Sequence, residues 1–136
     1  MSNEFVDHIQ ITSAENFGIG KRAGYFDNVG ALKDVGQNHL LQMLTFATMA
    51  APSEFSNRAV TDQRIKVLKS LVANPKKLVL GQYDGYKQEA GVSSQSRADT
   101  FFAFKTELAE GRLAGVPIYI RSGKMLAETL TKISIV

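Results

Sequence analysis

The sequence predicts an α+β fold, a mainly antiparallel sheet with two helices packed on one face, in the order β-α-α-β-β-β-β. Two observations carry this. Apolar residues recur every three or four positions between Asn28 and Val72, and every second position from Leu78 onward. The strands therefore cluster instead of alternating with helices, which argues against a parallel, doubly wound sheet.

Val6–Thr12 alternates, with Ile9 and Ile11 on one side and His8, Gln10 and Thr12 on the other. That is the pattern of a half-buried strand. Gly18, Gly20 and Gly24 mark a loop, and Asp27 is positioned to cap the helix that follows. The pattern predicts a helix over about Asn28–Ala50, with Leu40, Met43, Leu44 and Ala47 as its apolar stripe. Asp34, Asn38, Gln42 and Thr45 form its polar stripe, and Pro52 ends it. A second helix is expected over Asp62–Val72, capped by Thr61, burying Ile65, Leu68 and Leu71 or Val72. Strands are expected at Leu78–Tyr83, at Thr100–Leu108 with Phe102, Phe104 and Leu108 on one face, around Ile118 and Ile120, and around Ile133 and Ile135. Asp84–Asp99, rich in Ser, Gly and Gln, reads as a long exposed loop. The chain stops at Val136 inside an alternating run, so it is expected to be a partial domain cut from something longer.

Composition narrows the function classes. The 136 residues are 44% hydrophobic and 21% charged, which fits one globular domain. The absence of cysteine excludes disulfides, thiolate zinc sites and a cysteine nucleophile. The net charge of +3 is scattered, with no run of five like charges, so neither nucleic acid nor a membrane is expected as a partner. No apolar signal segment or spanning stretch is present, and the chain reads as cytoplasmic.

Gly18-Ile19-Gly20-Lys21-Arg22-Ala23 matches the pattern of a dinucleotide-binding turn. That turn needs a strand running straight into it and a helix straight out, and the spacing here provides neither. His8 and His39 have no carboxylate at ligand spacing, so no metal is expected. His39 shares a helix face with Val35, Met43 and Phe46. It is either a satisfied core residue or a general base, since neutral imidazole accepts protons near pH 7. Asp34, five residues earlier, lies about 140° around an ideal α-helix, so the two would flank one ligand rather than stack. Lys124, after a strand and Gly123, is either a solvated lysine or a cation for a phosphate or hydroxyl-rich ligand.

Several segments together resemble glucose-6-phosphate dehydrogenase. They are Lys21–Asp27, Gly30–Val35, Gln37–Met43, Val79–Tyr83, Thr100–Ala103 and Gly115–Lys124, in the family's order and spanning nearly the whole chain. The resemblance implies a fragment, residues 1–136, of the C-terminal substrate-binding domain, without the N-terminal dinucleotide-binding domain. The family oxidises glucose 6-phosphate to 6-phosphogluconolactone with NADP (some members with NAD), a reaction of the pentose phosphate pathway. The resemblance makes His39 the catalytic base that takes the C1 hydroxyl proton, and makes Asp34, Glu15 and Lys124 substrate-binding residues. A second cation that many members carry is Thr129 here. Arg121 matches an arginine that touches a second, structural NADP in animal members. The segment that grips the substrate phosphate and the family's glycine-rich cofactor turn are missing. No cofactor is therefore expected in this chain, and the isolated chain is expected to be inactive. Glucose 6-phosphate is the expected small-molecule partner, and the family's sheet implies a homodimer. The alternative is a naturally short, non-catalytic module for sugar-phosphate binding or dimerisation.

Overall fold

The computed structural model describes all 136 residues, Met1–Val136. Five strands form one sheet: β1 (Ile9–Ala14), β2 (Leu78–Gly81), β3 (Phe101–Thr106), β4 (Ile118–Gly123) and β5 (Leu130–Ile135), in spatial order β2-β3-β4-β1-β5. The fold is α+β, as the periodicity predicts. Three of the four pairings are antiparallel, and β1 with β4 is parallel. Parallel neighbours need a long crossover, and here it is the entire chain between them, helices included.

The sheet's inner face is built by alternation. Ile9 and Ile11 pair with Ile118 and Ile120, and all four are fully buried together with Phe102. Each such side chain contributes about 1.5–3 kcal/mol by leaving water. Ile133 and Ile135 pair with Ile11 and Ile9, so they belong to the same face, yet both are exposed because β5 is an edge that nothing covers. Strand limits shift by a few residues from expectation: β1 begins at Ile9 rather than Val6, β2 stops at Gly81, and β3 spans Phe101–Thr106.

The helical region differs more. A short helix, α1 (Ala23–Phe26), precedes a π-helical segment, Leu32–Leu40, which runs directly into α2 (Leu41–Thr48). The expected single α-helix over Asn28–Ala50 is thus two helical types in series. The π register is visible where the Leu41 N–H donates to the carbonyl of Gly36, five residues back. Beneath this segment the Phe102 ring presses on Gly36, where a Cβ would sit 2.7 Å from the ring's Cζ. Thr45, expected on the polar stripe, is fully buried; its hydroxyl donates to the Gln42 carbonyl and accepts from Arg64 Nε.

Asp27 does not cap the long helix. That role falls to Asp99, sixty-seven residues away, whose carboxylate accepts the Leu32 N–H at 2.7 Å. Gly30 makes this possible, since its φ is +77° and a Cβ would meet Asp99 Oδ1 at 2.4 Å. Asp27 instead anchors the loop expected to be exposed. Its carboxylate accepts hydrogen bonds from the hydroxyls of Ser96 and Tyr86 and from the Ser93 N–H. Tyr86, in the middle of that loop, is fully buried.

The next helix, α3 (Asn57–Ser70), starts earlier than expected, and Ser56 rather than Thr61 caps it by accepting the Ala59 N–H. It packs against α2 and buries Val67, while Ile65 and Leu68 stay over 40% exposed and Val72 beyond it is also exposed. Of the expected buried stripe, Leu71 packs half-buried against the core, whereas Ile65 and Leu68 form an open apolar face.

Candidate functional site

The last register pair of the parallel strands is Ala14 with Gly123. Glu15 and Lys124 are the next residues on each strand, so strand geometry alone delivers them to one place. Backbone hydrogen bonds lock the two exits together. Glu15 N–H donates to the Gly123 carbonyl at 3.0 Å, Leu126 N–H to the Glu15 carbonyl at 2.9 Å, and Met125 N–H to the Phe17 carbonyl at 3.2 Å. Met125 takes a left-handed φ of 55° at this turn.

The Lys124 ammonium donates to Glu15 Oε2 and lies 5.4 Å from the centres of both the Phe17 and Phe26 rings. Its side chain is 6% exposed, whereas that of Glu15 is 33% exposed. A buried cation facing one carboxylate and two aromatic faces is held rigidly, and its carboxylate partner is the more solvent-exposed end of the pair. Lys124 is thus not a solvated lysine.

Asp34 lies in the first turn of the π-helical segment, 13% exposed. Arg22 Nη2 donates to both of its oxygens, at 3.1 and 3.3 Å, and the Tyr25 hydroxyl donates to Oδ1 at 3.3 Å. His39 is one π turn further on. Because this register is wider than an α-helix, with hydrogen bonds closing five residues apart, Asp34 and His39 lie closer to one face than the ~140° of an α-helix. His39 is exposed, not a core residue, and lines an open hollow with Gln42, Met43, Phe46, Ala47 and Ile133.

The remaining residues singled out in the sequence have different surroundings. Thr129 ties a loop, donating to Asn16 Oδ1 at 2.7 Å and accepting the Asn16 N–H at 3.0 Å. Arg121 is on the sheet's other face, where its Nε donates to Thr12 Oγ1. That face carries an open cavity of about 430 Å³ lined by Lys77, Val79, Lys105, Tyr119 and Arg121 among others.

Gly18–Ala23 does not form a dinucleotide cradle. Gly18 packs against Glu89 and Tyr83, and the Ile19 N–H, which would face a pyrophosphate, donates to the Tyr83 hydroxyl. The helix after it, α1, has only four residues. No three His, Cys, Asp or Glu side chains converge as metal ligands, and no helix is long and apolar enough to cross a membrane.

Sequence reasoning did not find Arg22, Tyr25, Phe17, Phe26 or Gly36 as parts of this site. The three nearby glycines made Gly18–Asp27 read as a plain loop. The only available signal was the density of Arg, Tyr, Phe and Asp within Lys21–Asp27.

Comparison with known proteins fits this architecture. The family model "Glucose-6-phosphate dehydrogenase, C-terminal domain" matches residues 1–136. A glucose-6-phosphate 1-dehydrogenase of Mycobacterium tuberculosis is 43% identical over 129 residues, covering 94% of this chain and 28% of the relative. One from Borreliella burgdorferi is 40% identical over 149 residues, covering 98% of this chain and 31% of the relative. The crystal structure of the Mycobacterium avium glucose-6-phosphate 1-dehydrogenase superposes with a TM-score of 0.95 at 38% identity, over 98% of this chain and 30% of that one. A glucose-6-phosphate dehydrogenase solved in complex with its substrate glucose-6-phosphate gives 0.92, also at 38% identity and over the same shares. The chain thus spans about 30% of the length of these relatives. With a family model matched end to end and this fold, the chain belongs to the glucose-6-phosphate dehydrogenase C-terminal domain family.

Proposed function

We propose that this chain is the portion of a glucose-6-phosphate dehydrogenase that binds part of the sugar phosphate and removes its proton. The reaction is the oxidation of glucose 6-phosphate to 6-phosphogluconolactone. The hydride that leaves C1 as its bond to hydrogen breaks would go to NADP or NAD, which an N-terminal dinucleotide-binding domain outside residues 1–136 would hold; Gly18–Ala23 does not fit that cofactor.

The observation that supports this reading best is the Lys124–Glu15 pair at the joined ends of β1 and β4. A fixed ammonium and a carboxylate that is one-third exposed suit a ligand rich in hydroxyls and phosphate oxygens. The carboxylate of Asp34 accepts from a second sugar hydroxyl. His39 supplies the base: an exposed imidazole nitrogen takes the proton of the C1 hydroxyl as the C1 oxygen becomes the lactone carbonyl. Asp34 and His39 both belong to the π-helical segment, which supports a reading in which one rigid segment orients both groups on the sugar. The same reading carries a homodimer formed through the sheet and a cytoplasmic location.

The test is His39→Asn in the full-length protein that contains these residues. A positioned general base supplies ~10²–10⁴-fold, so kcat falls by that order while KM for glucose 6-phosphate moves by a few-fold. A kcat within a few-fold of wild type removes His39 from the chemistry.

A further inference from the structure

We propose that Arg22 is a positioning residue for substrate binding, acting through Asp34. The inference rests on the reading of Asp34 as a ligand for a sugar hydroxyl. It starts from an asymmetry in exposure: the Arg22 side chain is 55% exposed and that of Asp34 is 13% exposed.

A carboxylate accepting from a substrate hydroxyl must hold its lone pairs at one angle. An unrestrained aspartate rotates about its side-chain bonds and loses that angle. Here one guanidinium nitrogen bridges both carboxylate oxygens, at 3.1 and 3.3 Å. The Tyr25 hydroxyl takes a further site on Oδ1, at 3.3 Å. An ionised carboxylate offers about four lone-pair sites. These three contacts leave room for one more donor, and a single sugar hydroxyl fills it. Arg22 is itself steadied, because its guanidinium carbon lies 5.4 Å from the centre of the Tyr25 ring.

The chain geometry supports the assignment. Arg22 and Tyr25 sit at the junction of the short 3₁₀ turn Gly20–Arg22 with α1. Phe26, the last residue of α1, is one of the two rings against Lys124. Residues 22–26 therefore contact both Asp34 and Lys124. Rotation of α1 would disturb both substrate contacts together.

The test is a double-mutant cycle in the full-length protein, with Arg22→Gln, Asp34→Asn and the two combined. Both KM and the Kd for glucose 6-phosphate are measured, the latter by calorimetry. Arg22→Gln is expected to raise both by about 3–30-fold, well beyond its effect on kcat. In the Asp34→Asn background the same change adds less than twofold, because there is no carboxylate left to hold. Tyr25→Phe removes one hydroxyl without touching charge and gives the same split at smaller size, even where Arg22→Gln proves hard to fold. Equal losses from Arg22→Gln with and without Asp34 overturn the proposal, since Arg22 then acts on its own. Unchanged binding in Asp34→Asn overturns the reading of Asp34 itself, and the role of Arg22 falls with it.

Discussion

Lys124 meets Glu15 because Gly123 pairs with Ala14: the ion pair is the first contact beyond the register of two parallel strands. Separated by 109 residues in sequence, the two charges are adjacent through strand pairing alone. The burial is unequal, and that makes the two ends of the pair behave differently on substitution.

Removing the carboxylate should harm stability more than removing the cation. Glu15→Gln leaves the Lys124 ammonium enclosed by Phe17 and Phe26 without its counter-charge, which costs about 1–3 kcal/mol. Lys124→Met keeps the apolar stem and frees a Glu15 that water already reaches, so its cost stays within about 1 kcal/mol. Urea unfolding of both variants gives the order. Loss of a charge-assisted hydrogen bond worth ~1.5–3 kcal/mol makes Lys124→Met lower kcat/KM for glucose 6-phosphate by on the order of 10–150-fold in the full-length protein. Unchanged kcat/KM would make Lys124 a purely structural cation.

Gly36 should tolerate no side chain. Its Cα lies over the fully buried Phe102 ring, and a Cβ would approach three ring atoms at 2.7–3.2 Å. Forcing one in costs ~1–3 kcal/mol. The expected result of Gly36→Ala is a lower thermal midpoint together with a kcat loss larger than that stability change would give. The π-helical segment must lift off the sheet, and it carries both Asp34 and His39. Phe102→Leu in the same chain reopens the space and should restore part of the kcat. An Ala variant with wild-type stability and kcat would show that the segment relaxes freely.

Much of the sheet is legible in the amino-acid pattern alone. Ile9, Ile11, Ile118 and Ile120 announce themselves by alternation, since a half-buried strand must alternate. What alternation cannot carry is pairing: nothing local tells Ile9 that its neighbour is Ile118. The helix shows the same limit. Spacing indicates a helix through His39, but it does not show the π register, nor that Phe102 presses on Gly36 and Asp99 caps Leu32, both contacts between distant parts of the chain. Arg22 and Tyr25 stay hidden because local glycine content masks a turn whose purpose is to reach Asp34.

The 84–99 loop should dissolve at both extremes of pH. The Ser96 hydroxyl, together with the Tyr86 hydroxyl and the Ser93 N–H, holds the Asp27 carboxyl below its ordinary range against the opposing effect of desolvation. A depressed carboxylate contributes stability above its unfolded value, about 3.9, and loses it as pH falls through the lower folded value. Burial, reinforced by the bond to Glu89, pushes the Tyr83 hydroxyl up to about 12. That raised group contributes fully below an unfolded value near 10 and loses the contribution as pH climbs through the folded one. Thermal midpoints followed across pH should therefore fall on both limbs. Asp27→Asn should flatten the acid limb, and Tyr83→Phe part of the alkaline one, the rest belonging to the Tyr86 hydroxyl, which burial and its bond to Asp27 also raise. In an absorbance titration Tyr83→Phe should also remove a late tyrosinate step. Acid limbs that coincide for wild type and Asp27→Asn would mean that Asp27 does not anchor the loop.

The last expectation is that the 136-residue chain self-associates through its sheet. Both edges, β2 and β5, present unpaired N–H and C=O groups, and such edges recruit further strands. Val79, at 61% exposure, and Tyr119, at 42%, project from the outer face beside Arg121, and Lys105 lies 5.6 Å from the Tyr119 ring centre. Aromatic and arginine side chains are enriched at interfaces, whereas lysine is depleted, so Lys77 and Lys105 set the electrostatic cost of bringing two such faces together. That cost is screened by salt, with a Debye length of about 10 Å at 0.1 M. Pairing through the face should therefore tighten as salt rises, whereas pairing through backbone edges should respond little. Light scattering at several concentrations and two ionic strengths separates the two routes. Tyr119→Ser should weaken the first and spare the second. A monomeric mass at high micromolar concentration in both salts would show that the face and the edges are solvated well enough to stand alone.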